Sequence, residues 1–224
     1  MTRQPAPDAR PEGTTAKPRT RMTGRERREQ LLTVGRRIFA ENGYEATTVE
    51  EIAEAAGITK PVVYEHFGGK EGLYAVIVDR EEARLLERIT AVLAAEHPRQ
   101  AVEQAADAFL GYIEEHPDGF RVLTRDAPIG VGTFASLIGD IAESVTDVFS
   151  VHFRARGYPA EHAPVYARAL VGMVAMVGEW WLHEREFASG AAGLVRTPSR
   201  AQVRAHLVNL SWNGLKDLEI DPHV

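Results

Sequence analysis

Between residues 60 and 70 the sequence places Lys60, Pro61, Val62, Tyr64, His66 and Lys70 within about three helical turns. These side chains suit contact with a nucleic acid better than bond-breaking chemistry. Lysine can donate to guanine O6 and N7, valine can touch a thymine methyl, and Pro61 can pack on sugar or a methyl group. Thr47 or Thr48 and Lys70, at expected helix starts, offer backbone N–H groups, a positive dipole end and side-chain donors to phosphate. His66 is the one candidate general base in the stretch, but it has no serine, cysteine or acid partner at useful spacing. Taken singly, Tyr64 could be a half-buried packing aromatic and Lys70 a solvated lysine. Their joint order carries the signal.

These side chains need elements to hold them, and the stretch TTVEEIAEAAGITKPVVYEHF (residues 47–67) supplies two short helices across the turn Gly57-Ile58-Thr59. Val49, Ile52, Ala53 and Ala56 recur at helical spacing, and Ile58, Val63 and Phe67 continue the apolar side. Ala53 is small where two helices cross. This is the helix-turn-helix pattern, whose second helix lies in the major groove with its N-terminal residues on base edges. A preceding helix starts at Thr23, with Glu26 completing a capping box, and stops at Asn42-Gly43. A helix starting at Thr47 or Thr48 repeats the box with Glu50 or Glu51, and Pro61 sits in the first turn of the third helix, where its missing N–H costs nothing.

The stretch resembles the TetR-type transcriptional regulators over about residues 25–75. The resemblance rests on Gly43-Tyr44, Thr47-Thr48-Val49, Ile52-Ala53-Glu54-Ala55-Ala56-Gly57, Val63-Tyr64-Glu65-His66-Phe67 and Lys70-Glu71-Gly72-Leu73. It implies that Tyr64 and His66 are a phosphate-contacting aromatic pair. It also implies an effector pocket between the helices after Lys70. Pro61 departs from the small residue common there.

The rest of the chain reads as helix throughout, at about 70–95, 98–115, 118–126, 133–156, 160–188 and 199–218, broken at Pro98, Pro117, Gly157-Tyr158-Pro159 and Thr197-Pro198. The expected fold is all-α. Its N-terminal three-helix helix-turn-helix domain (residues 23–69) is joined by a long helix to a helical ligand-binding and dimerisation domain (70–224). Aromatic and methionine side chains crowd the second part. They are as much core as pocket, and Phe109, Tyr112, Phe120, Leu123, Phe134, Ile138, Met173, Val177 and Trp181 are the candidate effector-binding residues. Few charges fall among them, so the expected effector is small and hydrophobic, and GFRVLTRD with LVGMVAMVGEWWL resembles members answering to fatty acyl compounds. Gly172, Ala175 and Gly178, with Val203, Leu207, Leu210, Trp212, Leu215 and Leu218, suggest a face for a homodimer or for packing within the chain.

Composition bounds the alternatives. The chain has 224 residues, 44% hydrophobic and 26% charged, with no cysteine, which excludes disulfides, thiolate nucleophiles and cysteine-ligated zinc. Of the net charge of −6, residues 1–37 carry ten Lys and Arg against four Asp and Glu, so a +6 end precedes a −12 body. Residues 1–22 read as a disordered basic tail, and Arg19, Arg21 and Arg25 form either a passive tail or an arm for the minor groove. No apolar run approaches a membrane span, and no N-terminal stretch resembles a signal peptide, so the expected location is cytoplasmic. No metal or cofactor is expected: His183-Glu184 and Glu161-His162 are adjacent pairs facing different ways, and Gly130-x-Gly132 follows no strand. The expected function is a ligand-responsive repressor that binds a palindromic double-stranded DNA operator as a dimer, and not an enzyme. A DNA-binding protein of the same fold that organises DNA or answers to a protein partner is the alternative.

Overall fold

The computed structural model describes residues 22–93, 97–125, 134–190 and 197–216, with no side-chain description at 98, 189, 190, 215 and 216. Among them are nine α-helices and no strand: α1 (Gly24–Asn42), α2 (Val49–Ala55), α3 (Lys60–Phe67), α4 (Lys70–Thr90), α5 (Pro98–Glu115), α6 (Pro117–Thr124), α7 (Phe134–Ala155), α8 (Ala163–Gly190) and α9 (Arg200–Lys216). A 3-10 turn at Ala160–His162 leads into α8. The expected tail up to Arg21, Gly130-x-Gly132 and Leu218 lie outside the described residues. The α4 helix ends at Thr90 rather than near Ala95; residues 91–93 form a turn.

Local chemistry sets the boundaries of the first three helices. Thr23 and Glu26 close a reciprocal capping box at α1, and Thr48 and Glu51 close a second at α2. Thr48, not Thr47, is therefore the α2 cap. Gly57 adopts φ +64 in the turn between α2 and α3, a left-handed conformation open to glycine at little cost. The Ile58 N–H then bonds to the Ala53 carbonyl at 2.9 Å, and the chain re-enters as α3. Ile52 and Val63, both 0% exposed, pin α2 and α3 together. Each such buried side chain is worth roughly 1.5–3 kcal/mol.

The two halves share one core. Leu73, Tyr74, Ile77 and Val78 on the first half of α4 bury against α1, and Leu85 and Ile89 on its second half join α5 and α7 in the same cluster. Helix α1 also packs on α6, α7 lies along α8, and α5 lies along α9. Where α4, α5 and α6 meet stands a buried carboxylate, Glu81, which is 2% exposed. It accepts from Arg36 of α1 at 2.9 Å, Arg84 at 2.8 Å and the Tyr112 hydroxyl of α5 at 2.9 Å. Gly119 opens the space: a Cβ there would stand 2.5 Å from a Glu81 oxygen.

The segment Ala160–Ala188 is long and apolar enough to cross a membrane by length and composition alone. The expectation that no run reached that length is corrected here, because the ten residues between Arg168 and Glu179 carry no charge. Its apolar side chains divide in the fold. Ala167, Val171, Ala175, Trp181 and Leu182 enter the core, whereas Val165, Met176, Trp180 and Phe187 are exposed.

Candidate nucleic-acid interface and effector cavity

Helix α3 presents Lys60, Pro61 and Tyr64 outward, with Val62 and His66 half-buried beside them and Val63 turned into the core. Tyr64 is 54% exposed, unusual for an aromatic in a well-packed domain. Its ring edge lies against Gly69, where a Cβ would stand 3.2 Å away. Lys60 pairs with Glu50 of α2, and that hydrogen bond holds the Glu50 carboxyl below its ordinary range. Both ends are half-exposed, so the pair is weak and exchangeable for a phosphate or base.

Two side chains outside the expected set hold α3 at this angle. Arg28 of α1 donates to the His66 carbonyl at 2.8 Å and stacks over Phe67 at 4.3 Å. Gln30 donates to the Ala56 carbonyl at 3.1 Å, fixing the turn to α1. Both look like solvated helix residues in the sequence, and only the crossing of α1 over α3 reveals their partners. The exposed Thr59, which stands at the start of α3, makes no side-chain cap bond, which leaves its hydroxyl at the open end of the helix.

The remaining expected contacts differ in placement. Thr48 is exposed at the α2 cap, but Thr47 is 1% exposed and its hydroxyl donates inward to the Gly43 carbonyl at 2.7 Å. Lys70 donates to the Tyr44 carbonyl at 3.0 Å and lies 4.3 Å from the Tyr44 ring, so it braces the loop before α2. Arg25 is exposed near the start of α1, and Gly24 there lies beside the His66 ring.

The second half holds a cavity of about 60 Å³ between α4, α5, α7 and α8. Phe109 and Ile138 line it, together with Val145, Phe149, His152 and Val174, which the expected set left out. The missed residues follow a readable signal: on α7 the apolar positions 138, 141, 145, 148 and 149 recur at helical spacing. Phe120 stands edge to face with Phe109 at a centroid distance of 5.7 Å, and Phe134 edge to face with Phe120 at 5.5 Å. Tyr112 points the other way, to Glu81. Leu123 is buried in the shared core, with Met173 and Val177 packed against it. Trp181 is 0% exposed and donates from Nε1 to the Pro198 carbonyl at 2.8 Å, tying α8 to the start of α9.

The electrostatics around Glu81 have a clear direction. Burial pushes its carboxyl up, but hydrogen bonds from Arg36 and Tyr112 and the charges of Arg84 and Arg36 outweigh it and hold the group below its ordinary value. Burial, with the carboxylate beside it, pushes the Tyr112 hydroxyl up, so it remains a donor. Among the described residues no group of His, Asp or Glu is arranged to hold a metal ion.

An exposed recognition helix in a helix-turn-helix, joined through one core to a helical domain with an apolar cavity, defines a transcription regulator. Residues 31–77 match the family model described as bacterial regulatory proteins, tetR family, and residues 98–214 match the tetracyclin repressor-like C-terminal domain. The chain belongs to the TetR family of helix-turn-helix DNA-binding regulators, and its relatives are regulators rather than enzymes. It is 32% identical over 160 residues to the HTH-type transcriptional activator FasR of Mycolicibacterium smegmatis, covering 70% of this chain and 73% of that one. It is 38% identical over 63 residues to the HTH-type transcriptional repressor AcnR of Corynebacterium glutamicum, covering 28% of this chain and 34% of that one. A TetR-like regulator from Rhodococcus sp. RHA1 shares the fold at TM-score 0.64 and 23% identity, covering 88% of this chain and 99% of that one.

Proposed function

We propose that this protein is a homodimeric, cytoplasmic repressor that binds a palindromic operator and is released from it by a small hydrophobic effector, a fatty acyl compound. The observation that carries the reading is the outward face of α3, from Lys60 to Tyr64, on a helix whose Val63 is fully buried. Lys60 and Val62 read base edges, Tyr64, His66 and Thr48 meet phosphates, and the Arg25 end of α1 flanks them. One short helix reads few bases, so two copies about 34–36 Å apart are needed.

The second copy has a surface to use. Met176 and Trp180 of α8 and Leu210 of α9 are exposed at 66%, 46% and 64%, and two-fold pairing of that face would cover them. Of the three small residues expected there, Gly172 has open space beside it and two pack within the chain instead. Ala175 is buried, and Gly178 packs against Phe109 and Ile113 of α5.

At about 60 Å³ the cavity is well below the ~300–1,000 Å³ of a typical ligand site. An effector must therefore part α7 and α8 from α4 and α5. Since α4 continues from Gly69 into the α1 core, an effector that favours the parted state shifts the spacing of the two α3 helices and releases DNA. A second reading, activation, draws on one observation: FasR, a relative matching across both halves, is named an activator, whereas AcnR matches over 63 residues alone.

The test is a gel-shift assay of the full chain against DNA upstream of its own gene, with Tyr64→Ala and Lys60→Ala. Tyr64→Ala should weaken all sequences alike, and Lys60→Ala should relax discrimination at one base step by about 1–3 kcal/mol. Unchanged affinity and base preference in both variants would remove α3 from the groove. A reporter under the same operator then separates repression from activation by its sign.

A further inference from the structure

The helix-turn-helix that must lie on a polyanion is itself acidic. Residues 47–67 hold four glutamates (Glu50, Glu51, Glu54 and Glu65) against one lysine, Lys60, a net charge of −3. Positive charge for phosphates sits instead on α1, in Arg25, Arg27 and Arg28. Local structure accounts for one of the α2 acids, because Glu51 closes the capping box with Thr48. Glu50 takes no part in that box. It reaches across to Lys60 of α3, and the hydrogen bond keeps its carboxyl charged at neutral pH. Lys60 is the first residue of α3, where the helix dipole repels a cation. That first turn has no acidic residue and no side-chain cap bond, so Glu50 supplies the missing negative charge from the neighbouring helix.

This partner changes what Lys60 can bind. An ammonium has three donors, so it can keep the carboxylate and still donate to guanine O6 and N7, which are neutral acceptors. A phosphate is an anion and must share or displace the carboxylate against like-charge repulsion. We propose that Glu50 is a specificity-determining residue, which aims Lys60 at base edges and cancels its charge towards phosphate, so that the operator gains over unrelated DNA. The role rests on the operator reading above and adds a residue of α2 that sets the ratio of specific to non-specific binding.

The experiment titrates the full chain by fluorescence anisotropy at about 50–200 mM salt. The probes are the palindrome that the native chain selects from a randomised duplex pool and a scrambled duplex of the same composition. Glu50→Gln should bind the scrambled duplex more tightly. Its slope of log affinity against log salt should steepen by about 0.9, the mark of one more phosphate contact. The selected-to-scrambled affinity ratio should fall about fivefold or more. Adding Lys60→Ala to Glu50→Gln should remove the gain on the scrambled duplex, because the freed ammonium carries it. Glu54→Gln, which removes an α2 charge other than the partner of Lys60, should leave ratio and slope as in the native chain. A fold merely damaged at α2 would bind both duplexes less well. Weaker binding to both, an unchanged slope, the same gain from Glu54→Gln, or a gain that survives Lys60→Ala overturns the proposal. A native chain that selects no sequence overturns the operator reading and the role of Glu50 with it. A selective chain that Glu50→Gln leaves equally selective overturns the role alone.

Discussion

The buried hydrogen bond from Tyr112 to Glu81 is open to a clean perturbation. Tyr112→Phe keeps the ring and its packing and deletes only the hydroxyl, which donates to Glu81 at 2.9 Å. Tyr112 is 0% and Glu81 2% exposed, so water cannot replace the lost donor. A hydrogen bond to a charged group in such a place is worth about 1.5–3 kcal/mol. Because Arg36 and Arg84 still pair with the carboxylate, the cost stays below the roughly 3–5 kcal/mol of stranding a buried charge. At roughly 2–4 °C per kcal/mol for a chain of this size, Tm should drop by roughly 3–12 °C. Differential scanning calorimetry at fixed protein concentration measures it, with Glu81→Gln and the double variant closing a cycle. A drop under about 1 °C, or strictly additive losses in the cycle, would refute the argument that this contact joins α4 to α5.

Three further outcomes are expected. The folded Glu81 carboxyl lies below its unfolded value of about 4.3, so its stabilisation is present above that pH and is lost as pH falls through the folded value; Tm of Glu81→Gln should therefore decline less steeply in acid than that of the native chain. Gly57→Ala meets nothing within 4 Å but must hold φ +64, so it should cost roughly 1–2 kcal/mol by conformation alone and weaken operator binding as α3 is reset. Met176→Glu with Trp180→Glu should leave a species of 24.7 kDa in analytical ultracentrifugation, whereas the native chain should sediment at twice that mass; a persistent dimer in the variant would move the interface elsewhere.

The helix boundaries were legible because local chemistry writes them. Thr23, Thr48, Gly43, Gly57, Gly68 and the helix-opening prolines act through neighbours three or four residues away, within reach of a sequence reading. The end of α4 was less legible: no glycine or proline stands between Thr90 and Pro98, and residues 91–93 turn without one. Side-chain direction on α5 was not legible. Tyr112 follows Phe109 by three residues, which places both on one side of α5, yet Phe109 faces the cavity and Tyr112 the buried carboxylate. That divergence is set by where α4 and α6 cross α5. Glu81 itself reads as one more charge on a solvated helix, because its three donors come from sequence distances of 3, 31 and 45 residues. The preference of Thr48 over Thr47 as cap was likewise hidden, since both stand three residues before a glutamate.

The sharing of α4 between the two halves bears on how such regulators can be recombined. A cut at residue 69 would leave the first three helices without Leu73, Tyr74, Ile77 and Val78, the side chains that roof their interior. A transplanted sensory half would have to bring a joint inside α4, after Val78, and supply a counterpart to Glu81 for the orphaned Arg36 guanidinium. The natural module boundary in this molecule thus runs through the middle of a helix rather than through a loop.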